Sequence, residues 1–480
     1  MSALLKFAIV APTNFAGTPV ISDALLRRFD LNGPRYTSYP TADRFSSLVG
    51  PADYASALSA VKSPASLYIH IPFCRSLCYY CACNKIVTKS NSASNDYLTH
   101  LEREIELVAK NAPSLELVQI AFGGGTPNFF SITQFESLFR ALIKHAHLDP
   151  NREQSIEIDP RYLSDGYMES LRALGFNRVS FGVQDFDEGV QKLIHRFQSF
   201  EQTRAAVAAA REASFSSVSF DLVYGLPLQS RDSFAATLER TLSLEPDRVA
   251  LFNYAHIPER FKAQRRIPSE SLPSIEERVS LFLYAAERLV DAGYVAIGLD
   301  HFARPRDPLA QAAADASLRR NFQGYSTHAK TQLIGIGVSA ISQLNELFAQ
   351  NSADLDVYQT RIGRGELATH RGIALTFDDR VRASVIEKLM CHGALHWPEI
   401  AAEFSIDAKS YFARELTSLQ RLEQDGVLSL TPDTARVTDN GRLLLRAVAM
   451  VFDAYRDQPR PTQATSTEPE ATPIRFSRIA

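Results

Sequence analysis

From residue 66 to about residue 300 short β-rich runs alternate with amphipathic helical stretches, and this rhythm limits the fold more than any other property of the chain. Strands joined through a helix run parallel, so repeated βα units build a parallel sheet with helices packed over it. Candidate strands are Ser66–Ile71, Leu117–Phe122, Ser155–Ile158, Arg178–Gly182, Ser217–Val223 and Arg248–Asn253. Helices between them include Asp96–Lys110, Ser164–Leu174 and Thr203–Ala213, the last with an Ala-rich face suited to close packing. Six strands predict an α/β fold built on a partial (β/α)6 barrel. Such folds collect their ligands at the C-terminal strand ends, and polar or Gly-rich residues follow the strands directly here.

The rest of the chain is arranged around that unit. We expect an N-terminal segment (1–60) packing near the active site, a catalytic domain (61–300), a connecting region that contributes to the site (301–369), a C-terminal helical domain (370–455) and a disordered tail (456–480). Leu416–Asp425, Gly426, Val427–Leu430 and Ala435–Val437 read as a helix, a turn and a short hairpin, a winged-helix-like pattern. The formal net charge is -3, which gives no electrostatic reason for a nucleic-acid or membrane partner, so that pattern is expected to cover the site rather than to bind DNA. No apolar run approaches the roughly 18 residues of a spanning helix, and no heptad pattern calls for a second copy. The short apolar stretch Phe7–Pro12 is broken by Pro12 and Asn14 and reads as an extension rather than a signal peptide. The expectation is a cytoplasmic protein, with the oligomeric state left open by the residues.

Four of the five cysteines fall within ten residues, in His70-Ile-Pro-Phe-Cys74-Arg-Ser-Leu-Cys78-Tyr-Tyr-Cys81-Ala-Cys83-Asn84. Disulfide scaffolds spread their thiols, whereas a cluster on one short segment points to a metal centre in a reducing compartment. Cys74, Cys78 and Cys81 stand at C-x3-C-x2-C spacing just after a strand. Three thiolates suit an iron-sulfur cluster and leave one iron without a protein ligand. The alternative is a structural zinc completed by Cys83, although the last two thiols would strain a tetrahedron. Gly123-Gly-Gly-Thr-Pro127 ends the next strand, either as a plain tight turn or as backbone brought close to a ligand. Glu157, Gln184, Asp185, Arg196 and Asp221 lie in or just beyond later strands and form a polar rim suited to hydroxyls and a carboxylate, with Arg196 as the carboxylate partner.

With these residues in view, the sequence closely resembles the oxygen-independent coproporphyrinogen III oxidases of the radical S-adenosylmethionine superfamily. The resemblance covers about residues 30 to 455. It rests on Gly33-Pro-Arg-Tyr-Thr-Ser-Tyr-Pro40, the cysteine segment through Val87, Gly123–Pro127, Glu157-Ile-Asp-Pro-Arg161, Gly182-Val-Gln-Asp-Phe186 and Asp221-Leu-Val-Tyr-Gly-Leu-Pro227. Phe252–His256, Asp300-His-Phe-Ala-Arg304, Asn321-Phe-Gln-Gly-Tyr325 and Gly335–Ser342 complete it.

The resemblance implies a radical S-adenosylmethionine barrel, a 4Fe-4S cluster on Cys74, Cys78 and Cys81, and two S-adenosylmethionine molecules. The positions that match their sites are Tyr68, Tyr80, Gly124, Gly125, Thr126, Glu157, Gln184, Arg196, Asp221, Ala255 and Ile341. It further implies that a 5'-deoxyadenosyl radical takes a β-hydrogen from a propionate of coproporphyrinogen III, that loss of carbon dioxide and an electron leaves a vinyl group, and that two propionates react in turn. The electron would come from a flavodoxin or ferredoxin system. Cys83 is expected to act in turnover rather than as a ligand. Tyr80 stands where the family usually has Phe, and Ala82 where Gly is frequent, which bears on the second cofactor site. Two rivals are a haem-carrying chaperone with the same barrel, which typically lacks the fourth cysteine and the Gly33–Pro40 segment, and a radical enzyme with another substrate.

Overall fold

The computed structural model describes residues 28–29, 33–62, 64–328 and 331–459. Expectations for residues 1–27 and for the tail beyond residue 459 lie outside the described residues. Twelve strands form the main sheet: β1 (Ala65–Ile71), β2 (Glu116–Gly124), β3 (His147–Ile158), β4 (Arg178–Gln184), β5 (Ser217–Tyr224), β6 (Arg248–Asn253), β7 (Val295–Ile297), β8 (His301–Ala303), β9 (Gln332–Ile336), β10 (Ile341–Gln343), β11 (Leu347–Asn351) and β12 (Thr369–Ala374). Their spatial order is β12-β11-β10-β9-β1-β2-β3-β4-β5-β6-β8-β7.

All six expected strands are present, and each neighbouring pair from β1 to β6 is parallel. The crossovers are α1 (Asn91–Asn111), α2 (Ile132–His145), α3 (Tyr167–Ala173), α4 (Phe200–Glu212) and α5 (Arg231–Ser243), with α6 (Ile275–Asp291) after β6. Ser131 with Gln134, Ser199 with Gln202 and Ser274 with Glu277 form capping boxes that satisfy the first backbone N–H groups of α2, α4 and α6. The sheet continues past the six strands. The region expected to connect and to contribute to the site adds β9 in parallel to β1, with β10 and β11 antiparallel, and β12 carries the sheet past residue 369 into the stretch expected to be helical.

The two faces of this sheet differ in kind. Leu67, Ile69, Ile120, Phe122, Ile156, Ile158, Phe181, Phe220 and Leu251 are buried under the helices. Phe122, Phe135, Phe139 and Phe176 meet edge to face or tilted at centroid distances of 5.2 to 5.9 Å, and each buried ring contributes about 1.5–3 kcal/mol. On the other face the alternate positions Tyr68, Ala121, Ser155, Glu157, Ser180 and Asp221 are small or polar. Apolar packing therefore fixes the sheet from outside and leaves the inner face to chemistry.

In the C-terminal part, α7 (Phe377–His392) and the helices Trp397–Phe404 and Ala413–Gln424 pack with a small antiparallel sheet of Ala394–His396, Leu428–Leu430 and Thr434–Val437. This is the expected helical, winged-helix-like arrangement. Its core takes in Tyr36 and Tyr39 from the N-terminal segment, packed among residues such as Leu389, Trp397 and Phe452.

Candidate active site

The cysteine loop leaves the C-terminal end of β1 and is closed by its own base. Phe73–Cys74 pairs in parallel with Ile86–Val87, Ile86 donates its N–H to Pro72 O at 2.7 Å and Thr88 donates to Cys74 O at 3.0 Å. His70 fastens the far end: its Nε2 lies 3.0 Å from Asn84 O and its Nδ1 3.2 Å from the Tyr68 hydroxyl. Burial pushes His70 down to about 4, so the ring is neutral near pH 7. A carbonyl can only accept, so Nε2 carries the proton and Nδ1 accepts from Tyr68.

Cys74 and Cys78 are buried, Cys81 is half-buried, and Cys83 is exposed. The Thr126 hydroxyl donates to Cys74 Sγ at 3.4 Å, and Arg196 Nη1 and Arg161 Nη2 donate to Cys78 Sγ at 3.7 and 3.8 Å. The Cys83 thiol hydrogen-bonds Cys81 and, aided by Lys85, draws Cys81 down to about 6; the same bond sends Cys83 up. Among the described residues no three Cys, His, Asp or Glu groups converge as they would around one metal ion. A four-iron cluster holds its thiolates farther apart than a single zinc does, and thiols that meet hydroxyl and guanidinium donors suit its negative charge.

The glycines after β2 are held by close approach. A Cβ on Gly124, whose φ is +116°, would fall 2.6 Å from the His70 ring, and one on Gly125 would fall 2.4 Å from Pro72 O. Gly125 donates to Ile71 O at 2.8 Å, and Gly124 donates to Glu157 Oε2 at 3.3 Å. The plain-turn reading of these residues is thus incomplete, because the turn seats the cysteine loop. Burial and then the neighbouring Asp221 push Glu157 up to about 7, with the Gly124 N–H only partly offsetting them. Burial likewise raises Asp221 to about 6, although Ser180 donates to it at 3.2 Å.

Arg196 is buried against Asp159 at 3.3 Å and Gly182 O at 2.6 Å. Burial alone would raise Asp159, but Arg196 and Arg161 outweigh it and hold the carboxylate below its usual range. Gln184 sits at a bulge at the end of β4 with φ +68°. Tyr80 accepts at its carbonyl from Gln264, whose amide also donates to Ala255 O at 3.0 Å, so these two candidates share one tether. On the opposite flank, Gly335 pairs with Tyr68, and a Cβ on Gly335 would lie 2.4 Å from Ile341 O. Asp185, expected on the rim, is instead occupied by Gln229 at 2.6 Å and Thr237 at 2.7 Å and anchors α5.

Several residues that shape the site were missed in the sequence reading. His70 and Arg161 each lay inside a quoted motif, and Asp159 lay beside Glu157, but nothing in the spacing tells which of them faces a thiol. Arg35 pairs with Asp300, and Asp300 Oδ1 meets His301 Nδ1 at 2.7 Å, an assembly drawn from distant stretches of chain.

The class follows from this geometry and from the match of residues 68–241 to the Radical SAM superfamily model; residues 375–444 match the HemN C-terminal domain. The chain is 49% identical over 437 residues to the oxygen-independent coproporphyrinogen III oxidase of Pseudomonas aeruginosa, covering 90% of this chain and 95% of that one. Against the Escherichia coli enzyme of the same name it is 43% identical, over 91% and 95% of the two chains. The solved structure of Escherichia coli coproporphyrinogen III oxidase, described as a radical SAM enzyme, superposes with a TM-score of 0.87 at 42% identity, covering 92% of this chain and 100% of that one. The chain belongs to the oxygen-independent coproporphyrinogen III oxidase family.

Proposed function

We propose that this chain carries out the oxygen-independent oxidative decarboxylation of coproporphyrinogen III to protoporphyrinogen IX in haem biosynthesis, turning two propionates into vinyl groups. The observation that carries the reading is the cysteine loop, seated by His70, Gly124 and Gly125 at the strand ends with Arg161 and Arg196 beside Cys78. Cys74, Cys78 and Cys81 would hold a 4Fe-4S cluster, which with S-adenosylmethionine supplies the radical that removes a substrate hydrogen.

The remaining roles belong to the chain. Thr126, Arg161 and Arg196 donate to sulfur and spread its negative charge. Tyr68, Tyr80, Gly124, Gly125, Thr126, Glu157, Gln184, Arg196, Asp221, Ala255 and Ile341 hold two S-adenosylmethionine molecules, with Glu157 and Asp221 on the inner face accepting from hydroxyl or amino groups. Tyr79 and Tyr80 pack on Val190, Ile194, Val223, Leu226, Tyr254 and Ile267, which keeps water from that side of the loop. Cys83 acts in turnover beside Cys81. The working protein is a cytoplasmic monomer that takes electrons from a flavodoxin or ferredoxin system, with residues 61–300 as its catalytic domain. Among the described residues no helix is long and apolar enough to cross a membrane.

The test is anaerobic incubation with reductant, S-adenosylmethionine and coproporphyrinogen III, from which protoporphyrinogen IX and 5'-deoxyadenosine are expected. Deoxyadenosine without decarboxylated product would point to another substrate, and tight haem binding without turnover to a chaperone. Cys83→Ser should keep the cluster absorbance and lose product; full activity would remove Cys83 from the mechanism.

A further inference from the structure

A second polar centre lies where the N-terminal segment, the ends of β5 and β6 and the helix Leu445–Met450 meet. Arg35, Tyr224, Asn253, His301, Arg442 and Arg446 line a cavity of about 50 Å³. A water needs roughly 10–15 Å³ measured this way, so the space takes a carboxylate-bearing side arm but no macrocycle. Tyr224 and Asn253 are the last residues of their strands, so the cavity opens at the same end of the sheet as the cysteine loop. His301 links the two, since it bonds Asp300 at 2.7 Å and feels the charge of Asp221.

Of the charged residues that line the cavity, Arg35, Arg442 and Arg446 are cationic and Asp300 is anionic. Arg35 takes Asp300 as its carboxylate partner, and Asp439 lies near Arg442. Arg446, 3% exposed, is directed at the backbone carbonyls of Gly33 and Pro34. Arg320, 6% exposed, donates Nε to Tyr36 O at 3.2 Å and rests its guanidinium 4.2 Å over the Tyr325 ring, while its Nη1 is buried without a hydrogen-bond partner. Burial and mutual repulsion bring Arg35 down to about 10 and Arg446 to about 9. Clustered buried guanidinium groups are stabilised by an anion. His301, pushed down to about 3 by burial and then by Arg320 and Arg35, stays neutral and adds no competing charge.

We propose that the cavity walled by Arg35 and Arg446 is a carboxylate subsite that receives a non-reacting propionate arm of the tetrapyrrole. It rests on the function proposed above and deepens it, because the substrate brings several such arms and a fixed one sets which of the others faces the cysteine end. Arg35 is the specificity residue, since it alone of the guanidinium groups is carried by the Gly33–Pro40 segment and reaches Asp300 on the barrel side.

The test compares the holoenzyme with Arg35→Gln and Arg35→Lys, and with Arg446→Lys in case the first variant disturbs the segment. Coproporphyrin III, the oxidised tetra-acid, and its tetramethyl ester serve as fluorescent binding probes. Arg35→Gln should weaken tetra-acid binding and raise the KM for coproporphyrinogen III about tenfold to a hundredfold, the worth of a charged hydrogen bond, with the KM for S-adenosylmethionine unchanged and Arg35→Lys partly restoring the loss. The ester should bind equally weakly to all forms. Variants that bind the tetra-acid and use the porphyrinogen as the unsubstituted chain does would overturn the subsite alone. Tetra-acid binding that depends on Arg35 in a chain that makes no protoporphyrinogen IX would uphold the subsite and overturn the proposed reaction.

Discussion

Glu104, on α1, and Glu157, near the end of β3, are both carboxylates that burial pushes up to about 7. Their surroundings differ in what they leave undone. Glu104 accepts from Tyr358 and Asn351 at 2.6 Å and from the Gly337 N–H at 2.7 Å, which ties α1 to the turn between β9 and β10. That turn is pinned in its turn by Tyr97, which accepts from the Val338 N–H and donates to His70 O. Glu157 accepts one N–H at 3.3 Å and faces the inner side of the sheet. A similar shift thus marks a closed joint in one place and a group with open lone pairs in the other, and only the partners tell them apart.

The largest effect is expected at the cysteine loop. Cys78→Ala should abolish cluster absorbance and product formation while leaving the urea midpoint of the metal-free chain near its original value; a chain that unfolded instead would make the loop a structural element. Next, Glu157→Gln should cut product formation about tenfold to a hundredfold by weakening a charged contact without lowering the midpoint. A loss of stability there would place Glu157 with the joints.

Glu104→Gln reverses the pattern, with a stability loss of about 1–3 kcal/mol from a mismatched donor set. It also changes the pH dependence. The carboxyl titrates at 4.5 ordinarily and at about 7 in the folded chain, so between these values the folded state keeps a proton that the unfolded chain has released. That share of stability is complete below pH 4.5 and is lost as pH rises through 7, amounting to about 3 kcal/mol. Urea unfolding at pH 5 and pH 8 should show a smaller fall in Glu104→Gln than in the unsubstituted chain, the difference being this share, while the raised Glu157 and Asp221 still contribute to the fall in both. The smallest effect is expected of Tyr358→Phe, about 1 kcal/mol for one buried hydrogen bond, again by urea unfolding.

Much of this could be read in advance where neighbours in sequence are neighbours in space. The six parallel strands, the capping serines of α2, α4 and α6 and the cysteine loop are local patterns. The start of β3 was missed because Asp149-Pro-Asn151 reads as a turn; the strand runs through it, and the register against β2 jumps between Leu117 and Gln119 to absorb the extra residues. The strands β9 to β12 are short, and β1 accepts β9 from 267 positions away, as in the pair Ala65 and Gln332, which no periodicity announces. Asp185 was misread for the opposite reason: a strand-end carboxylate looks the same in sequence whether it faces a ligand or, as here, accepts from Gln229 and from Thr237 within α5.

The Gly33–Pro40 clamp has a consequence for the order in which the molecule is made. Arg446 holds the carbonyl of Gly33 from 413 positions later, and Tyr36 donates to Asp453 across 417. A growing chain acquires its cysteine loop and all six inner strands before residue 254, yet it cannot close the arginine cavity until nearly the last described residue has left the ribosome. The newborn protein therefore completes its cysteine loop well before the arginine cavity closes, and the helix Leu445–Met450, which carries Arg446, serves as the latch.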